Sequence, residues 1–294
     1  MFLSKKSTNV RTLIQRDNRG GWLDGLAALA RPWSVVGEAA RLYFTPERAV
    51  APPALPEPAG GIVLAVPGFT PHLNARLWPA AGERAPLVLL AHDWEGQIQD
   101  MMPLVAVLLS RGARVLAFDA PAHGRSGGDN THVLEMAAAI RAVVRAAGGP
   151  VTAAIGHGLG ATALTLALGE NWLGPAPARL VLLAPLADMM LPVRQIAHIH
   201  GLDPDGEMEL YSRIDKVLAR PLAALVPMVP PQPTTGLLIH SSDDRIMPVV
   251  DALQMVAGAP AWRSHLMSGL GHRRLLSDAS VVALAADHAV GLDG

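Results

Sequence analysis

Cysteine is absent from this chain of 294 residues, which excludes disulfides, a thiolate nucleophile and a cysteine-ligated zinc. Charge is also sparse: charged residues make up 17% of the sequence, aromatic residues 4%, and the formal net charge is −1. There is no long run of like charge, which argues against nucleic acid or an anionic membrane surface as the main partner. The lack of cysteine fits any compartment and does not decide the location.

Hydrophobic residues make up 50% of the chain, enough for a large core, and favour one large domain over two. Residues 1–21 turn polar after three residues and contain no apolar signal region. The longest apolar stretch, residues 151–168, contains Gly156, His157, Gly158 and Gly160 and predicts a strand, a turn and a buried helix. We therefore predict a cytoplasmic protein without stable membrane insertion.

The first sixty residues differ in pattern from the rest. Residues 22–44 have the apolar spacing of a helix, interrupted at Pro32, and the proline-rich stretch 45–61 that follows cannot hold a helix. We predict that residues 1–60 form a helical arm and connector, and that residues 61–294 form the main domain.

From residue 61 onward, short apolar strands alternate with helical stretches, which predicts an α/β fold with a parallel sheet covered on both faces. The first two strands have no helix between them and are expected to form an antiparallel edge. The predicted strands are Gly61–Val66, Ala75–Trp78, Pro86–His92, Ala113–Asp119, Val151–Ile155, Arg179–Ala184, Thr235–His240 and Trp262–Met267. The predicted helices are Ile98–Arg111, Thr131–Ala147, Leu159–Glu170, Val249–Ala257 and Arg273–Val290.

The alternation stops over residues 186–233, a stretch rich in methionine and proline with helical spacing near Glu207–Leu218. An insertion of this length between two core strands predicts a small helical lid over a site at the carboxyl ends of the strands. Met189 and Met190 directly follow a predicted strand, and we expect them to line an apolar substrate pocket.

Four polar motifs follow predicted strands, where α/β sheets place their ligands. They are "LLAHDWEG" (89–96), "FDAPAHGRSGG" (118–128), "IGHGLG" (155–160) and the pair "IHSSDDRIMP" (239–248) with "GLGHRRLLSD" (269–278). The third has the outline of a G-x-S-x-G nucleophile elbow, with Gly158 in place of the serine.

With these motifs in this order, the chain resembles the α/β-hydrolase fold family, in particular bacterial esterase- and lipase-like members, from about Gly61 to the C-terminus. The resemblance implies an eight-stranded, mostly parallel sheet. It implies that His272 is the general base and that Asp244 orients it, with Asp243 as the alternative acid. The backbone amides of Trp94 and Leu159 would be the oxyanion donors.

Two residues depart from the family pattern. Gly158 has no hydroxyl, which makes Ser-His-Asp chemistry impossible, and Asp93 stands where glycine is expected. Three hypotheses follow: a retired hydrolase, or pseudoenzyme, that binds an apolar acyl or ester-type small molecule; a hydrolase that uses water activated by His272, or uses Asp93 itself; and a serine carboxylesterase with an inactivating change at position 158. If the protein is active, ester-type hydrolysis is the expected reaction.

No cofactor or metal is predicted. The "HIH" triplet, residues 198–200, lacks further ligands at zinc spacing. The "GHGLGA" stretch, residues 156–161, lacks the last glycine and the later acid of a dinucleotide fingerprint. His92 and His157 are expected to have structural roles, His157 within the junction of sheet and helix.

Overall fold

The computed structural model of the protein describes residues 34–48, 56–80, 82, 85–229 and 234–293. The described chain contains one sheet of eight strands. In chain order these are β1 (Ile62–Leu64), β2 (Ala75–Trp78), β3 (Leu87–Ala91), β4 (Arg114–Phe118), β5 (Ala153–His157), β6 (Arg179–Leu183), β7 (Thr235–Ser241) and β8 (Trp262–Met267).

The spatial order of the strands is β1-β2-β4-β3-β5-β6-β7-β8. β2 pairs antiparallel with both β1 and β4, whereas all pairs from β4 to β8 are parallel. The predicted α/β fold with a mostly parallel sheet of eight strands is therefore confirmed, including the antiparallel edge.

The helices of the described chain are α1 (Val35–Phe44), α2 (Met102–Ser110), α3 (Val133–Ala147), α4 (Gly158–Gly169), α5 (Leu191–Ile199), α6 (Pro204–Leu218), α7 (Val249–Val256) and α8 (Ala279–Val290). Helices α2 and α8 pack against each other and, in one core cluster, against Val88 and Leu90 of β3. The alternate residues Leu87 and Leu89 are also fully buried, so both faces of this central strand are covered. None of the helices in these described ranges is long and apolar enough to cross a bilayer.

Two predicted helices are each divided in the structure. Residues 98–111 form a 3₁₀ turn, Ile98–Met101, followed by α2. Residues 273–290 form a 3₁₀ turn, Arg273–Leu276, followed by α8, because Asp278 caps the new helix by accepting the N–H groups of Ser280 and Val281.

The chain divides into two compact units, with described residues 34–44 and 189–225 in one and 45–188 and 226–293 in the other. In the first unit, α1 packs against α5 and α6. Helix α6 contains the helical stretch predicted at Glu207–Leu218, and begins earlier because Asp203 caps it. Of the arm and connector predicted for residues 1–60, residues 1–33 and 49–55 lie outside the described residues. The arm and the lid remain predictions.

Candidate active site

The junction between β5 and α4 brings the start of this helix against the end of β3. Gly158 is the first residue of α4 and has a φ of 52°, a left-handed conformation that glycine adopts without strain. A Cβ atom on Gly160 would overlap the backbone carbonyls of Ala91 and His92. The glycine at position 160 therefore allows a close approach that places Gly158 beside Asp93.

The carboxylate of Asp93 occupies the space beside Gly158 where a side chain at position 158 would lie. A Cβ atom on Gly158 would overlap Oδ1 and Cγ of Asp93, closer than real Cβ atoms approach their neighbours. Asp93 Oδ1 accepts the backbone N–H of Leu159 at 2.6 Å, and Asp93 Oδ2 lies 2.9 Å from Nε2 of His272. One carboxylate thus contacts the amide predicted as an oxyanion donor and the predicted base.

His92 holds the backbone of Asp93 in place. Its Nε2 accepts the N–H of Ala120 at 2.9 Å, so the proton lies on Nδ1, which donates to the Asp93 carbonyl at 2.7 Å. The N–H of Gly96 donates to the same carbonyl at 3.0 Å. The structural role predicted for His92 is therefore to join the turn after β3 to the segment after β4.

On its other side, His272 contacts Asp244. The Nδ1 atom of His272 lies 2.7 Å from Asp244 Oδ2. The other oxygen of Asp244 accepts the backbone N–H groups of Ile246 and Met247 at 2.8 and 3.0 Å. These bonds within the turn after β7 orient the carboxylate towards the imidazole.

Asp243, the alternative acid, has a different position. It is exposed and accepts the N–H groups of Gly269 and Gly271 at 2.9 and 3.2 Å, together with the hydroxyl of Ser241. It therefore stabilises the turn that presents His272, while Asp244 contacts the imidazole.

The charges of the two carboxylates and the imidazole depend on one another. Burial alone would lower the pKa of His272, but hydrogen bonds to Asp244 and Asp93 outweigh it and raise the pKa to about 9. Burial alone would raise the pKa of each carboxyl group. For Asp93 the bond from His272 outweighs burial, and for Asp244 the bonds from His240 and His272 do, so both pKa values lie well below the usual range. At neutral pH the site therefore contains an imidazolium between two carboxylates.

The structure also places His157 in this cluster, a position that the sequence analysis did not predict. Its ring stacks on that of His272, with centroids 4.7 Å apart and planes inclined by 28°, and its Nε2 donates to the His272 carbonyl at 3.2 Å. Burial lowers the pKa of His157 to about 4, so this ring is neutral beside the charged one. Its position directly before Gly158 was the only sequence signal for a place in the site.

Asp93, His157 and His272 each offer a ligand atom, all within 4.8 Å of one another, the spacing of a metal site. A shared ion would have to lie near the plane of both imidazoles at ~2.0–2.1 Å from each nitrogen. The rings of His157 and His272 are stacked and inclined by only 28°, so their planes do not intersect within metal-ligand distance of the two nitrogens. The proton between Asp93 and His272 fits this geometry, whereas a metal ion does not.

The other predicted site residues are placed as follows. Trp94 is buried, with its ring edge-on to that of His123 at 5.2 Å. Met189 is buried and Met190 half-buried, directly before α5. The oxyanion role of Trp94 and the pocket role of the two methionines remain predictions.

A sheet of this topology, with a strand–glycine–helix turn after β5, an acid after β7 and a histidine after β8, defines the α/β-hydrolase class. A sequence model described as the alpha/beta hydrolase family matches residues 63–286, more than half of the chain, and the chain belongs to that family. No curated protein sequence matches it.

Solved structures agree with this assignment. The Butyrivibrio proteoclasticus protein Est1E, solved with ferulic acid, is 19% identical, with a TM-score of 0.58 over 77% of this chain and 96% of its own. A Pyrococcus furiosus esterase is 18% identical, with a TM-score of 0.58 over 84% and 98%. Mouse alpha/beta hydrolase domain-containing protein 10 is 16% identical, with a TM-score of 0.59 over 76% and 96%. At this level of identity the likeness shows the shared fold.

Proposed function

We propose that this chain is a hydrolase-family protein that works without a serine, and that the carboxylate of Asp93 replaces the missing nucleophile at position 158. The observation that supports this is the placement of Asp93. Its carboxylate lies in the space of the absent side chain, accepts the Leu159 amide at 2.6 Å and pairs with His272 at 2.9 Å. Ionisable groups with strongly shifted pKa values in one cluster are typical of reactive sites.

The same placement argues against a serine esterase inactivated by one change. A serine at position 158 would have its Cβ atom within the carboxylate of Asp93. Restoring the hydroxyl alone would therefore not restore a working elbow. Gly158 leaves the space that the carboxylate of Asp93 occupies, so the two residues form one structural feature.

Water activated by His272 is also disfavoured as the main chemistry. A general base must accept a proton, and the pKa of about 9 keeps His272 protonated at neutral pH. Its Nε2 already donates to Asp93. Among the non-serine mechanisms, the geometry favours Asp93 as the group that reacts first.

A second candidate is a protein that binds an apolar acyl or ester-type molecule without converting it. It is favoured by the hydrogen bonds of Asp93. Its two oxygens accept the N–H of Leu159 and the Nε2–H of His272, as the carboxylate of a bound reaction product would. This candidate predicts ligand binding without turnover. The substrates of the structural relatives do not decide between the two candidates, because those relatives share only the fold.

The experiment is labelling with a fluorophosphonate probe and hydrolysis of p-nitrophenyl acetate by four proteins. These are the wild type, Gly158→Ser, Asp93→Gly and the double variant. We expect no label on the first three, because each has either no hydroxyl or a blocked one. The double variant has both the hydroxyl and the space, and we expect it to be labelled.

Adding His272→Gln to the double variant should remove that labelling, which shows that the serine relies on the imidazole. Labelling of the wild type would refute the proposal, and so would ester hydrolysis that is lost in His272→Gln but retained in Asp93→Gly. So would full activity of Gly158→Ser alone, because the serine would then not be blocked by Asp93.

A further inference from the structure

The two edges of the sheet differ in charge. Strand β8 forms one edge and contains Arg263, which is exposed and paired with Asp293. Charged side chains on an edge strand oppose its pairing with another chain. Strand β1 forms the other edge and lies within residues 58–71, a stretch without a charged side chain. Of the two edges, that of β1 therefore lacks this protection.

Strand β1 also exposes two large apolar side chains. Ile62 is 52% exposed and Val63 is 72% exposed. Because they are consecutive, they point to opposite faces of the sheet, and neither face of β1 is fully covered. Within the ranges that the structure describes, no strand pairs with the outer side of β1. An apolar strand in this position is a surface on which a further strand can pair.

The hydrogen bonds of β2 show which of its residues face β1. The N–H of Asp119, directly after β4, donates to the carbonyl of Asn74, directly before β2, at 2.9 Å. Such bonds alternate along an antiparallel strand, so every second residue from Asn74 onward faces β4. The residues between them, Ala75 and Leu77, therefore direct their N–H and C=O groups towards β1.

The outward-facing groups of β1 follow from this alternation. Leu77 pairs with Ile62, and Ala75 pairs with Leu64. Ile62 and Leu64 therefore direct their N–H and C=O groups towards β2. Val63 lies between them, so its N–H and C=O groups point away from the sheet.

We propose that two copies of this chain pair through β1, antiparallel and related by a two-fold axis at Val63. By the same alternation, Gly61 and Ala65 also face outward. With Val63 opposite its own copy, Gly61 of each chain lies opposite Ala65 of the other, which gives about six hydrogen bonds between the chains. Pro67, the next outward-facing residue, has no N–H, so the pairing ends before it.

A second copy complements this edge in apolar contact and in charge. On one face of the joined sheet Ile62 lies opposite Leu64 of the other copy, and on the other face the two Val63 side chains meet. A two-fold axis brings side chains close to their own copies, so a charged residue near it would repel itself. Residues 58–71 contain no such residue. The proposed pairing does not depend on the chemistry proposed for Asp93.

Sedimentation velocity at several concentrations tests the pairing. A strand this short buries less than the ~1,200 Å² of a standard interface, so the dimer should be weak. Between ~1 and ~200 μM, the mass of the wild type should rise from one chain to two and no further. Val63→Lys places two like charges at the axis and should keep the mass of one chain. The matched control Leu266→Lys adds the same charge at an exposed position of β8 and should dimerise like the wild type.

Single cysteines test the register, because the chain has none of its own. Two copies of residue 63 would form a hydrogen-bonded pair with Cα atoms ~5.5 Å apart, so Val63→Cys should form a disulfide-linked dimer on oxidation. Copies of residue 62 would lie diagonally, ~7–8 Å apart, and Ile62→Cys should cross-link at least ~10-fold more slowly. Leu266→Cys is exposed on β8 and controls for random collision.

Four outcomes would overturn the proposal. The first is a wild type that stays a single chain up to ~200 μM, or a dimer that Val63→Lys leaves intact. The second is faster cross-linking of Leu266→Cys than of Val63→Cys, which would place the contact on β8. The third is growth beyond two copies, which a two-fold pair does not allow.

The fourth outcome concerns another occupant of the edge. Slow hydrogen exchange of the Val63 N–H at concentrations where the protein is a single chain would show that another segment of the same chain covers β1. Val63→Cys is a small change at an exposed position, so the cross-linking result decides even if Val63→Lys fails to fold. None of these measurements depends on the fluorophosphonate experiment, so this proposal and the proposed function can fail separately.

Discussion

At the level of single residues, Gly158 and Asp93 account for each other. Gly158 has a φ of 52° and no room for a Cβ atom, because the carboxylate of Asp93 already lies there. Asp93 in turn has a hydrogen-bond donor for each oxygen only because Gly158 leaves that space. The free-energy contributions of the two residues should therefore be strongly coupled.

We predict that Gly158→Ala lowers the free energy of unfolding by roughly 3 kcal/mol in the wild type, from strain at positive φ and from overlap with Asp93. In an Asp93→Gly background the overlap is gone, and the loss should fall to about 1 kcal/mol. Urea denaturation of the four proteins in a double-mutant cycle measures the difference.

Gly148→Ala is the matched control for that cycle. Gly148 also has a positive φ, 69°, but a Cβ atom there would meet nothing within 4 Å. It should cost only the strain of the backbone, about 1 kcal/mol. If Gly158→Ala is no more costly than Gly148→Ala, the carboxylate of Asp93 does not occupy that space.

A second prediction concerns the site left by Asp93→Gly. That variant should contain a cavity with the shape of a carboxylate, lined by the Leu159 N–H and the imidazolium of His272. Formate or acetate should therefore bind there and raise the melting temperature of the variant, because ligands of the native state stabilise it.

The control for stabilisation by formate or acetate is sodium chloride at the same ionic strength, which should not raise the melting temperature of the variant to a comparable extent. Asp93→Gly combined with His272→Gln should lose the response, since the cation is gone. Equal responses of the two variants to formate would contradict the assignment of the anion site.

At the level of secondary structure, the number and order of the strands along the chain could be predicted from the sequence, whereas the exact ends of some strands could not. The apolar patterns of Ala75–Trp78 and Trp262–Met267 gave the bounds of β2 and β8 correctly. For β5, residues Val151–Ile155 were predicted and Ala153–His157 observed. The shift arises because Gly156, a poor strand former, and His157 after it pair with Leu182 and Leu183 of β6. Pairing with the neighbouring strand β6 therefore set the end of β5, and the local sequence contains no information on that pairing.

The candidate site shows the same limit. His272 and Asp244 could be predicted as a pair because each follows a strand in a recognisable motif, and the structure places them 2.7 Å apart. The contact between Asp93 and Leu159 joins residues 66 positions apart through three-dimensional packing. From the sequence, Asp93 was a departure from the family's glycine and a possible reactive group, and nothing in its motif showed that its carboxylate lies beside position 158.

A third prediction concerns His92, which joins the ends of β3 and β4. His92→Leu would leave the buried N–H of Ala120 without a partner, and we expect a loss of about 1–3 kcal/mol in the free energy of unfolding. His92→Gln offers an acceptor at a similar position and should lose less.

Stability alone does not show that His92 positions Asp93. If it does, His92→Leu should also lower the pKa of His272, because Asp93 would hold the imidazolium less closely. Nitrogen chemical shifts of His272 measured against pH test this. An unchanged His272 titration in a destabilised variant would limit His92 to a packing role.

For the whole molecule, the charged cluster links folding to pH. The pKa of His272 rises from 6.5 to about 9 on folding, so the folded state binds the proton more tightly. The stabilisation is complete below pH ~6.5 and is lost as pH rises towards 9, by roughly 3 kcal/mol. The low pKa values of Asp93 and Asp244 act in the opposite direction: stability falls when pH drops below ~4.

The lowered pKa of His157 makes stability rise with pH up to ~6.5, because the unfolded state binds that proton first. We therefore predict that the free energy of unfolding is greatest near pH ~6.5 and declines on the alkaline side before any lysine titrates. Urea denaturation from pH 4 to 9.5 measures the profile. Asp93→Asn removes one of the two carboxylates at His272 and lowers its folded pKa, so the alkaline decline should still begin near pH ~6.5 but should be smaller and end at lower pH. A profile that is flat between pH 6.5 and 9 would show that His272 is not held as a cation.

The fit between Asp93 and Gly158 has a consequence for how the sequence of the chain can change. A serine introduced alone at position 158 meets the carboxylate, and removal of the carboxylate alone leaves an imidazolium beside a void. Each single change is expected to lower stability, so a Ser-His-Asp arrangement is within reach of this chain only if both codons change together.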